Sequence, residues 1–189
     1  MKMRITVAVH GRFHAFDLAR ALAARSDVEA RLLTNYTARE CAIFGLQPDM
    51  VTSFVMHRWL QRLSQRLMPH PLPARLEAFL HESFGRWARR KLEAMNPVPD
   101  VIRIFSGVAA ESLRSQALRP ALRLVTRGSA HIRTQKRLLE AEGRRAGRPI
   151  DMPSAYILAR EEQEYALADG VVVLSSFSRE SFIQQGYPP

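Results

Sequence analysis

The sequence predicts an α/β fold of the Rossmann-like, doubly wound kind, and three observations carry that prediction. Short apolar runs recur at residues 2–9, 28–34, 100–105, 122–126 and 171–174. Stretches with helical spacing of apolar residues separate them, and alternation of the two patterns is the mark of a parallel sheet flanked by helices. Each run also stops abruptly at small or polar residues, which is what a ligand-facing corner after a buried parallel strand requires.

Taken in order, residues 2–9 alternate and then fill with β-branched side chains, giving a first strand, and His10-Gly11-Arg12-Phe13-His14 is the corner after it. Residues 17–25 form a helix whose apolar stripe is Phe16, Leu18, Ala19, Leu22 and Ala23; Ser26-Asp27 breaks it, and residues 28–34 make the second strand. Gly11 stands alone, so the corner lacks the GxGxxG pattern of classical dinucleotide binding. A lone glycine serves equally as a tight turn or as a place where backbone approaches an anion. His10 and His14 are four apart but straddle a strand end and a turn with no third ligand nearby, so no metal site is expected.

The middle, about 51–95, reads as an amphipathic helical hairpin inserted into the domain. Met56, Trp59, Leu60, Leu63 and Leu67 fall on one side of the first helix, with Arg58, Arg62 and Arg66 as a basic stripe beside them. Pro69, Pro71 and Pro73 break the run, and a second helix follows with Leu76, Phe79, Leu80, Phe84 and Trp87 on its apolar face and Arg86, Arg89 and Arg90 largely opposite. Two readings stay open. The hairpin packs its stripes on the domain, or its first helix lies on a membrane surface with Arg58, Arg62 and Arg66 meeting anionic lipid.

After Pro97-Val98-Pro99 come a short strand at 100–105, the Ser106-Gly107 corner, a helix over 108–117, and the strand at 122–126. That strand leads into Arg127-Gly128-Ser129-Ala130-His131. A helix led by Pro153 carries Glu161, Glu162 and Glu164, from which at least one ion pair to Arg160, Arg127 or a nearby arginine is expected, a scaffold role. The last strand ends at Ser175-Ser176-Phe177-Ser178, whose serines cap the final helix.

Composition bounds the function. A chain of 189 residues with 47% hydrophobic content suits one domain with a real core. No apolar run approaches the roughly 20 residues that cross a bilayer, and the opening shows no secretory signal. The single cysteine, Cys41, reads as an inert packed thiol and fits a reducing cytoplasm. The net charge of +10 favours anionic partners without choosing among them. Nucleic acid is disfavoured, because the aromatics lie on apolar helix faces instead of interleaving with arginines. There is no GxSxG elbow, no Walker A loop and no DxD carboxylate pair.

The segments RGSAHIRTQKRLLEAE and REEQEYALADGVVVLSSFSRESFIQQG resemble the N-terminal half of family 4 glycosyltransferases with the GT-B architecture. The likeness is distinctive over about the last third of the chain, plausible over the first 36 residues and absent in the middle. It implies that residues 1–189 are a single Rossmann-like, acceptor-side domain, and that the nucleotide-sugar-binding C-terminal domain is missing. That domain's two glutamates seven residues apart have no counterpart here. The resemblance implies a retaining transferase that moves a sugar from a nucleotide sugar to a hydroxyl acceptor, either a glycan or a lipid-linked alcohol. This domain alone would bind no cofactor and be inactive. A cytoplasmic location, peripheral at the inner face of the membrane, goes with that reading.

Arg127, Ser129 and His131 are the leading candidates for chemistry on the strand-end rim. A guanidinium grips phosphate or carboxylate through paired hydrogen bonds. Ser129 and the Gly128 amide add donors. His131 is either a catalytic base that takes the proton of an attacking hydroxyl or a helix-start residue bonded to backbone. Gly11, His14 and Ser106 complete the set expected to bind acceptor or phosphate. The alternatives are a basic, non-catalytic module for nucleic acid or an anionic membrane surface, and a partner subunit of a split glycosyltransferase.

Overall fold

The computed structural model describes residues 2–67 and 73–189. Pro69 and Pro71, two of the three expected helix breakers, lie outside the described residues. Six strands form one sheet: β1 (Met3–Val9), β2 (Val28–Thr34), β3 (Val51–Ser53), β4 (Val101–Phe105), β5 (Leu122–Arg127) and β6 (Gly170–Val173). Their order is β3-β2-β1-β4-β5-β6 and every pairing is parallel. The chain thus reverses direction across the sheet between β1 and β4, which opens a crevice at the strands' C-terminal ends. The fold is the doubly wound one that the alternating pattern predicts.

The helices are α1 (Ala15–Ala23), α2 (Ala38–Ala42), α3 (Val55–Leu67), α4 (Ala74–Glu93), α5 (Ala110–Leu113), α6 (Ile132–Ala146), α7 (Ala155–Leu167) and α8 (Ser176–Ile183). They cover both faces of the sheet, so successive residues of a central strand enter different cores. On β1, Val7 and Val9 join Phe16, Leu32 and Cys41, while Ala8 joins Phe84, Leu92, Ile104 and Val125 on the other side. Cys41 is fully buried, and burial pushes its thiol up to about 11, so it is the inert packed thiol expected.

Three departures from the sequence expectation have physical causes. The hairpin expected over about 51–95 is there as α3 and α4, but its first three residues are the edge strand β3. Three residues are too few to show a period. The short helix α2 went unread for the same reason; it is held by a reciprocal cap between Thr37 and Glu40. The helix expected over 108–117 shrinks to the four residues of α5. Its N-terminal amides at Ala109 and Ala110 are capped by the buried Glu164, and past Leu113 the chain continues in tight turns, with the amides of Ser115, Arg119 and Ala121 donating to the carbonyls of Ser112, Gln116 and Leu118. The serine cap before α8 is as expected: Ser175 Oγ accepts from the Ser178 amide at 3.1 Å.

Candidate functional site at the strand-end rim

Three corners meet at the C-terminal ends of β1, β4 and β5. After β1, Gly11 adopts φ +140° and Phe13 an unusual +39°. A Cβ on Gly11 would stand 2.9 Å from the Phe13 ring, so the glycine is required both by its backbone and by the ring folded over it. Phe13 stacks on Phe105 with centroids 5.9 Å apart and still leaves 62% of its surface exposed. His14 begins α1 with its ring 4.8 Å from that of Phe105, and its Nε2 is buried without a hydrogen bond.

After β4, the Ser106-Gly107 corner is tightly tied. The Gly107 carbonyl accepts from Arg160 Nε at 2.6 Å and from His81 Nδ1 at 2.9 Å, which places the ring's hydrogen on that nitrogen. Glu164, wholly buried, accepts from the amides of Gly107 (2.5 Å), Ala109 (2.8 Å) and Ala110 (3.1 Å). Arg160 then pairs with Glu111 at 2.6 Å. Burial pushes the Glu164 carboxyl up to about 7, against the pull of Arg160 and the three amides. The amides that an external anion would use at this corner are already occupied by the protein's own carboxylate.

After β5, Arg127 is similarly committed. Its Nη1 donates to Glu161 Oε1 at 2.9 Å, its Nε to the Ala130 carbonyl at 3.2 Å, and its Nη2 to Gln135 Oε1. Glu161 also accepts from the Tyr165 hydroxyl. Burial raises the Glu161 carboxyl while Arg127 opposes the rise. The expected ion pairs of the α7 glutamates are present, at Arg127–Glu161 and at Arg160–Glu164. They change the meaning of Arg127. A guanidinium with its hydrogens spent on a carboxylate, an amide and a carbonyl is a wall, not a phosphate grip.

The corners enclose a cleft of about 340 Å³ lined by His10, Phe13, His81, Ser106, Arg127 and Ser129, among others, with Gly128 at its edge. His14 approaches it from the Gly128 side: a Cβ on Gly128 would lie 4.0 Å from His14 Cε1. Of the six residues singled out in the sequence for acceptor or phosphate binding, Ser106, Arg127, Gly128 and Ser129 line the cleft, His14 stands behind Gly128, and Gly11 is reached only through the Phe13 ring. His131 is not on the cleft. Its ring is 1% exposed and packs among Tyr165, Phe182 and Tyr187. Nδ1 accepts from the Arg133 amide at 3.3 Å, so His131 is the N-cap of α6, the second of the two sequence readings. Burial lowers its pKa, and the ring has no path to a substrate hydroxyl in this arrangement.

Sequence reasoning set His10 aside with the metal reading and did not single out Phe13, His81 or Gln135. His10 Nδ1 is buried without a partner, its ring lies 5.0 Å from that of His81, and burial holds its pKa well below 6.5. The signal available in the sequence was position alone, one residue past a strand. Among the described residues no group of three His, Cys, Asp or Glu side chains could hold a metal ion.

The basic stripe of α3 is split. Arg58 pairs with Glu40 at 2.7 Å and lies 3.3 Å over the Tyr36 ring with only 11% of its side chain exposed, so it is withdrawn from any lipid. Arg62 and Arg66 are exposed. Among the described residues no helix is long and apolar enough to cross a membrane.

No protein-family model matches the chain, and no curated protein does. Solved structures do. A Listeria monocytogenes protein assigned as a UDP-N-acetylglucosamine 2-epimerase aligns with the whole chain at 13% identity and a TM-score of 0.58, over 43% of its own length. Another UDP-N-acetylglucosamine 2-epimerase aligns over the whole chain at 11% identity, TM-score 0.56 and 46% of its length. The Neisseria meningitidis UDP-GlcNAc 2-epimerase, bound to UDP-GlcNAc, aligns over 98% of the chain at 12% identity and TM-score 0.55. The shared property is the fold. The chain has a GT-B-like, Rossmann-type domain and spans less than half the length of these structures.

Proposed function

We propose that this chain is the acceptor-side domain of a two-domain GT-B sugar-transferring enzyme, of the family 4 glycosyltransferase kind, and that the rim cleft receives the hydroxyl-bearing acceptor. The observation that carries this reading is the gathering of His10, Phe13, Ser106, Gly128 and Ser129 around one cleft at the β1–β4 crevice. The cleft's chemistry favours a neutral polyol over an anion. Arg127 is neutralised by Glu161, and Glu164 occupies the amides after β4. The unsatisfied atoms at or beside the cleft are His10 Nδ1 and His14 Nε2, each able to bond a hydroxyl. The exposed face of Phe13 is a platform for the apolar side of a sugar ring. Strained backbone at Phe13 is the kind of outlier found where a binding surface is held ready.

On this reading His10 takes the part that the sequence assigned to His131. An imidazole that burial keeps neutral at pH 7 can accept a hydroxyl hydrogen bond and hold the acceptor in place, while the same lowering makes it a weak proton acceptor. On this reading the donor nucleotide sugar is held by a second domain facing the rim, and turnover needs both domains.

The structural neighbours favour a second reading, in which the same cleft faces the sugar of a UDP-sugar in an epimerase-type enzyme. Amide NMR titration of the chain separates the two. An alkyl glycoside or oligosaccharide that shifts Gly11, Ser106, Gly128 and Ser129, with loss of the shifts in Phe13→Ala and His10→Gln, supports the acceptor reading. Shifts produced there by UDP-GlcNAc alone overturn it in favour of the second. Silence to both overturns both, and retention on nucleic acid with a steep salt dependence points to a basic binding module.

A further inference from the structure

The helix α3 is inside out. Its inward face is polar: His57 is 1% exposed with Nε2 2.9 Å from the Leu80 carbonyl, Ser64 is buried with its hydroxyl on the Leu60 and Gln61 carbonyls, and Gln61 accepts from Asn35 Nδ2 at 3.0 Å. Its outward face is apolar. Met56 is 66% exposed, Trp59 67%, Leu63 53% and Leu67 69%, with Leu60 between them. At spacings of three and four these five make one continuous stripe. An isolated exposed leucine needs no explanation, but an exposed stripe of five large side chains opposite a satisfied polar face does.

The border of the stripe says what covers it. The spacing sets Arg66, then Arg62, along one flank, both exposed; α3 carries no acidic residue, and the carboxylate near this flank is that of Glu40, 3.9 Å from Arg62 and 2.7 Å from Arg58. Arg58 is drawn away to Glu40 and Tyr36, which fixes the helix's rotation and leaves the stripe outward. The chain's net charge of +10 adds attraction to an extended anionic surface, which meets the basic body as well as the local pair. An apolar stripe with a tryptophan, edged by guanidinium groups on a positive body, matches the acyl–headgroup boundary of an anionic membrane.

We propose that α3 docks this chain on an anionic lipid surface, with Met56, Trp59, Leu60, Leu63 and Leu67 entering the headgroup region and Arg62 and Arg66 meeting lipid phosphates. The inference is independent of the acceptor reading, since none of these residues lines the rim cleft. It narrows the basic stripe read from sequence to two of its three arginines.

The test is co-sedimentation of the chain with phosphatidylcholine vesicles, with and without phosphatidylglycerol, followed alongside by tryptophan emission. Trp87 is stacked on Phe54 at 5.1 Å, so a blue shift reports Trp59. Binding that requires phosphatidylglycerol, with the blue shift, is expected. Arg62→Glu/Arg66→Glu should weaken it at least about tenfold, because two attractive charges at the surface become repulsive. Trp59→Ser/Leu63→Ser should abolish the insertion, and because both side chains are exposed these variants keep the native unfolding midpoint. Arg137→Glu/Arg144→Glu on α6 alters net charge equally and should weaken binding less. An absence of sedimentation, binding indifferent to lipid charge, or equal loss in the α6 control overturns the proposal. So does self-association of the wild-type chain that Trp59→Ser/Leu63→Ser removes, which would assign the stripe to a second copy.

Discussion

The two helices of the β3-to-β4 crossover, α3 and α4, carry the same kind of pattern and meet opposite fates. On α4 Leu80, Phe84, Ala88 and Leu92, four apart, are buried, the last three in one cluster with Ile102, Ile104 and Val108. Phe79, assigned to the same apolar face in the sequence, is 48% exposed. On α3 the apolar stripe faces out and the histidine and serine face in. The difference teaches that periodicity identifies a stripe but not its direction. Direction depends on what the inward side chains find. His57 finds the Leu80 carbonyl and Asn35, and Arg58 finds Glu40 and the Tyr36 ring, so burying the polar face of α3 leaves the imidazole bonded and the guanidinium charge paired.

The comparison breaks most sharply under truncation. Phe84→Ala on α4 should cost about 3–5 kcal/mol in urea unfolding, the usual loss for a fully buried aromatic. Trp59→Ala on α3 should stay within about 0.5 kcal/mol despite removing a larger ring. Equal effects would mean that the α3 stripe is packed after all. Glu164→Gln, which removes the carboxylate holding the start of α5 beneath α4, should cost about 3 kcal/mol, because it leaves Arg160 short of a partner and sets an amide donor against backbone donors. Hydrogen exchange at Gly107, Ala109 and Ala110 should accelerate together.

Acid should loosen the junction between the two helices. His57 of α3 and His10 both pack on Phe84 of α4, His81 of α4 packs on His10, and burial lowers the pKa of each; His81 falls to about 4. The groups around His81 are the His10 ring, the Gly107 carbonyl, Arg160 and Tyr156, none of which favours a charged imidazole by more than the carbonyl's one hydrogen bond. A histidine whose folded pKa lies below its unfolded 6.5 contributes stability that is complete above pH 6.5 and lost as the pH falls towards 4. His81→Asn keeps a donor for Gly107 and should flatten that part of the pH–stability curve. The smallest effect sharpens the split of the basic stripe. Arg58→Ala should cost about 1 kcal/mol through its lost stacking on Tyr36, and Arg62→Ala none.

Five of the six strands were legible because each is a run of apolar residues closed by a polar corner; β3 has three residues and no pattern to read. The rim was legible for the same reason, since a parallel sheet delivers all its strand ends to one side. The roles on the rim were not. Arg127 reads as an anion grip until Glu161, 34 positions later, is placed 2.9 Å away. His131 reads as a base until Tyr165, Phe182 and Tyr187 close around it. His10 gains interest only from what surrounds its unpaired nitrogen. In each case the deciding contact is distant in the chain, and local spacing carries no trace of it.

The amino-acid order by itself determined the alternation of strand and helix, the parallel sheet, the serine cap of α8 and the clustering of corners on one edge. These follow from local propensity and period, which neighbours along the chain specify. Only the tertiary structure decided which charged side chains are spent on one another, which histidine reaches the cleft, and which way α3 faces. Those are outcomes of desolvation and pairing, and a buried charge or nitrogen takes its meaning from the atoms that fold against it.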